Sequence, residues 1–101
     1  MTEITVQNFE TEVLQQTGLL LLDFRAKWCI PCRKIAATLE KIAKERPDIK
    51  ICTVDIDEQP ELASAFNVMS IPTLIVYKDG KSINRVVGGR DKEGILELLG
   101  I

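Results

Sequence analysis

Two thiols separated by two residues, in the stretch Trp28-Cys29-Ile30-Pro31-Cys32, are the most chemically pointed feature of this sequence. At that spacing the two sulfurs can close a small disulfide ring and open it again, which is the basis of thiol-disulfide exchange. The segment that follows reads as a helix. Pro31 suits a first helical turn, and Ile35, Leu39, Ile42 and Ala43 recur at helical spacing until Pro47 stops the pattern. A helix start offers unpaired N–H groups and the positive end of the helix dipole to the first sulfur. Cys29 is therefore expected to be the exposed, readily ionised thiol, and Cys32, one turn inside, the more buried one. Arg25, Lys27, Arg33 and Lys34 lie close in sequence and favour an anion there. Half of a metal site shared between two chains and a permanent structural disulfide are the competing readings. Metal half-sites normally sit in loops rather than on a strand-to-helix turn, and a reducing compartment opposes a permanent bond.

The remaining composition narrows the chemistry further. The chain has no histidine, which removes Ser-His and Cys-His dyads, histidine zinc sites and imidazole pH switches. Three cysteines fall short of a four-thiolate zinc site, and the odd count argues against a static disulfide framework. The third, Cys52, lies in an apolar run and reads as an inert core thiol. Thirteen Lys plus Arg against fifteen Asp plus Glu give a net charge of -2, with no basic run, which argues against nucleic acid as a partner. The 101 residues suffice for one domain spanning 1–101, and 46% hydrophobic content can build a core. The first ten residues lack a basic start and an apolar stretch, and the Leu19 to Leu22 run is short. The expectation is a cytoplasmic chain with no membrane association.

Alternating elements must position the thiols. Ile4 to Val6 reads as a strand, Asn8 to Gln16 as a helix ended by Gly18, and Leu19 to Phe24 as a strand covered on both faces. After the long helix come a β-branched strand from Ile49 to Ile56 and a short helix from about Glu58 to Phe66 capped by Asp57. Thr73 to Tyr77 and Ser82 to Val87 flank an Asp79-Gly80 turn, a hairpin signal, and Asp91 caps a last helix. This order predicts an α/β sheet that begins parallel, ends in a hairpin and carries helices on both faces. Met69 and Tyr77 read as packing residues.

With these motifs in place the chain resembles the thioredoxin family from its first strand to its last helix. The carriers are Asp23-Phe24, Ala26 and Trp28-Cys29-x-Pro31-Cys32, then Val54-Asp55-Ile56-Asp57, Ile71-Pro72-Thr73-Leu74, Lys78-Asp79-Gly80 and Val87-Gly88. The resemblance implies a mixed five-stranded sheet flanked by four helices and a cis peptide bond at Pro72 beside the cysteines. It implies a small soluble protein disulfide reductase that needs no cofactor beyond its Cys29-Cys32 couple. Cys29 is then the attacking thiolate, Cys32 the resolving thiol, and Asp23, an acid in an apolar strand, the proton acceptor for Cys32. Ile71 and Pro72 resemble the client-docking edge, Trp28 and Gly88 the surface around Cys29, while Ile30 and Pro31 tune the couple. The implied partners are disulfide-containing client proteins and a thioredoxin reductase, served by a monomer. Three residues depart from the family's usual pattern: Ile30 stands in place of Gly, Arg25 of Trp, and Thr53 of a Lys near the buried acid. A binding module that uses the surface of Trp28, Ile71 and Gly88, with incidental redox chemistry, is the reading from another functional class.

Overall fold

A computed structural model describes residues 1–101. Its centre is the Leu19–Arg25 strand, β2, whose five inner residues are buried on both faces as the continuous apolar run requires. On one side β2 pairs in parallel with β3 (Lys50–Asp55), which in turn pairs in parallel with a two-residue β1 (Thr2–Glu3). On the other side β2 pairs antiparallel with β4 (Thr73–Lys78), and β4 with β5 (Lys81–Val87). The five strands run β1-β3-β2-β4-β5 across the sheet, so the parallel start and the closing hairpin both appear as the sequence predicts. The hairpin turn places Asp79 and Gly80 at φ 51° and 80°, the left-handed pair that a two-residue turn demands. Gly80 also lies against the carbonyl of Leu14, where a Cβ would collide.

Side chains alternate across the sheet and divide the core in two. Leu20, Leu22, Phe24, Cys52, Val54 and Ile75 face a layer with Val13 and Leu62. Leu21, Ile51, Leu74 and Val76 face the other layer, made by Ile35, Leu39 and Ile42 of α1 (Ile30–Glu45) and Ile95 and Leu99 of α3 (Lys92–Leu99). Asp91 caps α3 as expected, its carboxylate accepting the Gly94 N–H at 2.8 Å. With α2 (Pro60–Ala65) and a π-helical turn at Glu10–Leu14, four helical segments flank the mixed five-stranded sheet.

Three local expectations need correction. The first strand lies at Thr2–Glu3 rather than Ile4–Val6, because Thr5 and Asn8 bind each other's backbone N–H groups and turn the chain. Only Ile4 still reaches the sheet, donating its N–H to Thr53. The helix expected over Asn8 to Gln16 is one π turn, closed by the Gln15 N–H on the Glu10 carbonyl, so Val13 is buried while Leu14 faces solvent. Asp57 does not cap α2. Gln59 occupies that place, Pro60 opens the helix, and the Asp57 carboxylate is engaged elsewhere.

Candidate active site

The end of β2 delivers the chain to Cys29, which is the residue preceding α1 and holds an extended backbone there. Its sulfur accepts the Cys32 N–H at 3.2 Å, one of the donors that a helix start leaves unpaired. Cys29 and Cys32 are joined as a disulfide, with Cα atoms 5.2 Å apart. Pro31 sits in the first helical turn, as predicted, and Ile30 beside it is exposed. The expected contrast in burial between the two thiols is not found: Cys29 is 4% and Cys32 2% exposed. Ala26, Ile56 and Ile71 pack against the pair. Of the nearby cations, Arg33 donates twice to the Lys27 carbonyl, at 3.0 and 2.7 Å, and so closes the loop before α1 instead of facing the sulfur.

Ile71 and Pro72, joined by a cis peptide bond, lie across from the cysteines. The Ile71 carbonyl is 4.0 Å from Cys29 Sγ. Gly88, at φ 95°, donates its N–H to the Pro72 carbonyl at 2.8 Å, which ties the end of β5 to the same corner. Trp28 is 64% exposed, yet its indole N–H donates to the Asp57 carboxylate at 2.8 Å and fixes the ring beside the disulfide. Between Trp28 and Ile71 runs an open apolar groove that Ile56, Val68, Met69 and Ser70 complete. Met69, read from sequence as packing, is 91% exposed on that groove, whereas Tyr77 is buried as expected. Met69 is the groove residue that sequence reasoning missed, although it stands two residues before the Ile71-Pro72 motif, and Asp57, quoted there as part of a motif and as a helix cap, instead holds the Trp28 indole.

Asp23 follows Leu22 and precedes Phe24 in β2, but its side chain takes the opposite face, under α1. It is fully buried, and neither carboxylate oxygen has a hydrogen-bond partner. Desolvation pushes its pKa from 3.8 to about 7, against a smaller downward pull from Arg25. Thr53 is its register partner in β3. A cavity of about 340 Å³ opens next to this pair, lined by Cys32, Thr53, Arg25, Lys27, Arg33 and Asp55 among others. Cys52 is on the far face of β3, buried, with its thiol pushed up to about 11 by desolvation.

The thioredoxin family model matches residues 1–100. The chain belongs to the thioredoxin family. Among its relatives are the thioredoxin of Listeria monocytogenes, 47% identical over 96% of this chain and 93% of that protein, and that of Chlamydia trachomatis, 43% identical over 95% and 92%. The thioredoxin of Mycobacterium bovis is 44% identical over 96% of this chain and 84% of its own. Family and geometry together make this chain a protein disulfide oxidoreductase whose couple is Cys29-Cys32. Thioredoxins act on disulfide-containing substrates and receive electrons from a thioredoxin reductase. No group of three or more potential metal-ligating side chains gathers in the fold, and no helix is long and apolar enough to cross a membrane.

Proposed function

We propose that the chain, folded as one domain over residues 1–101, reduces client protein disulfides with a distinct task for each site residue. The Cys29 thiolate attacks one sulfur of the client disulfide, forming a mixed disulfide and releasing the other client sulfur as a thiolate. Cys32 then attacks Cys29 Sγ, which closes the internal disulfide and releases the second client thiol. Two electrons have passed from the dithiol to the client. The proton lost by Cys32 goes to Asp23, and the departing client sulfur takes up a proton in turn. The observation that carries this reading is the buried, unpartnered Asp23 carboxyl on the α1 face of the sheet, below the helix that bears Cys32. A carboxyl of that kind accepts a proton near neutral pH, where general-base catalysis is most effective.

Docking falls to Ile71 and Pro72, whose backbone is offered beside Cys29 Sγ, with Trp28 and Gly88 framing the approach. An extended client segment can pair its backbone there while its side chains enter the groove beneath Trp28. Ile30 and Pro31 tune the couple: Ile30 gives the thiolate neither charge nor hydrogen bond, which keeps the couple reducing. A monomer in a reducing compartment such as the cytoplasm suits this chemistry. Insulin reduction tests it. Cys29→Ser should abolish turnover, Cys32→Ser should trap mixed disulfides, and Asp23→Asn should slow their resolution at neutral pH more than it slows the first attack. Resolution by Asp23→Asn at the parent rate across neutral and alkaline pH would refute the base role. Full biological function in a chain with both cysteines replaced by Ser would favour the binding-module reading.

A further inference from the structure

Arg25 follows Asp23 by two residues in β2, so the two side chains leave the same face of the strand, roughly 6.6 Å apart along it. Arg25 is half-buried and lines the cavity that also reaches Cys32 and Thr53. The other charged groups around that cavity are Glu3 from β1, Lys27 from the loop after β2, Arg33 from α1 and Asp55 from β3. Arg33 is held by the Lys27 carbonyl, and Asp55 accepts the N–H groups of Asp57 and Glu58. From the remaining elements on this face, β4 sets Leu74 beside Asp23 and α3 contributes Ile95 and Leu99, none of them charged. The Arg25 guanidinium forms no ion pair. Its charge is thus uncommitted, next to a carboxyl that has no hydrogen-bond partner and whose cross-strand neighbour is the neutral Thr53.

We propose that Arg25 is a positioning residue for the resolving step: from the end of β2 its guanidinium favours the charged, proton-accepting form of Asp23 and so governs when Cys32 can be deprotonated. The inference rests on the reading of Asp23 as the base. Guanidinium stays protonated throughout the working pH range, so its influence on the carboxyl is constant while Asp23 and the thiols titrate. Burial raises the carboxyl and Arg25 opposes that rise, in agreement with the geometry. A cation supplied from β2 thereby does the work that a cation at position 53 of β3 would do by direct approach across the strand pair.

The test follows the Asp23 carboxyl carbon by NMR titration of the oxidised protein in four forms: parent, Arg25→Met, Arg25→Lys, and Arg25→Met combined with Thr53→Lys. Arg25→Met should raise the midpoint by roughly half to one pH unit, about three- to tenfold in proton affinity. Arg25→Lys should keep most of the parent value, and the Thr53→Lys combination should bring the midpoint back down. Stopped-flow resolution of a mixed disulfide should show the same displacement of its pH profile to higher pH. In an Asp23→Asn background, Arg25→Met should leave that profile where it is. An unmoved carboxyl midpoint in Arg25→Met overturns the inference about Arg25 alone. A midpoint that moves while the rate profile stays in place overturns the base reading of Asp23, and the kinetic role of Arg25 with it.

Discussion

Replacing Asp23 with Asn should make the oxidised protein progressively more stable than the parent as the pH rises from about 4 to about 8. The folded-state carboxyl holds its proton up to about 7, while in the unfolded chain it ionises near 3.8. Between these values the folded state binds more protons than the unfolded state, so parent stability falls with rising pH. Each tenfold change in proton affinity corresponds to about 1.4 kcal/mol. A rise from 3.8 to about 7 therefore amounts to a penalty of about 4 kcal/mol. It is absent below the lower value and complete above the upper one. Asn carries no such penalty, though its amide, buried without a partner, costs about 1–3 kcal/mol at every pH. That constant drops out when the stability difference is compared across pH. Little else enters the comparison: the chain has no histidine, Cys29 and Cys32 are tied in the disulfide, burial pushes the Cys52 thiol up to about 11, and the other acidic groups, common to both proteins, cancel in the difference. Urea unfolding of both proteins at a series of pH values reads the result directly. Parallel stability curves, or a difference that grows by less than about 1 kcal/mol, would refute the desolvation argument for Asp23.

The other expectations concern the thiols. With limiting iodoacetamide the reduced protein should be labelled first at Cys29, whose sulfur accepts the Cys32 N–H; predominant label on Cys32 would reverse the assignment. Equilibration with glutathione should place the couple near the roughly -270 mV typical of thioredoxin, and a value above about -200 mV would show that Ile30 does not act as argued. Cys52 should resist alkylation in the native protein up to about pH 10 and react only on unfolding, since its thiolate form is disfavoured until about 11.

What was legible in the sequence was what short-range chemistry determines. The apolar run of β2, the Asp79-Gly80 turn, the Asp91 cap and the strand-to-helix setting of the cysteines all rest on neighbours along the chain, and the structure has each of them. Where the reading went astray, a distant or competing partner decided. Asp57 looked like a cap for α2, but the exposed indole of Trp28, far away in sequence, takes its carboxylate. Met69 looked like core because its type is apolar, yet it sits on the loop before the cis peptide bond, with no layer above it. Burial of Cys29 depends on Ile56 and Ile71, contributed by two other segments, which periodicity around the cysteines cannot reveal. The placement of Arg25 in the cavity at Cys32 is likewise a product of strand register, although its two-residue spacing from Asp23 was visible from the start.

The two edges of the sheet carry a consequence for the molecule at high concentration, where partly unfolded chains meet it. An open strand edge is a template on which such chains add and then accumulate. Here one edge is a strand of only two residues, too brief to seed a ladder. The other, β5, opens with Lys81, its pairing with β4 slips at Val76 and Tyr77, and Arg85 and Asn84 reach from it to carbonyls of Phe66, Asn67 and Leu98. One edge is thus too short and the other charged and interrupted, which leaves no long, regular strand on which further chains could stack.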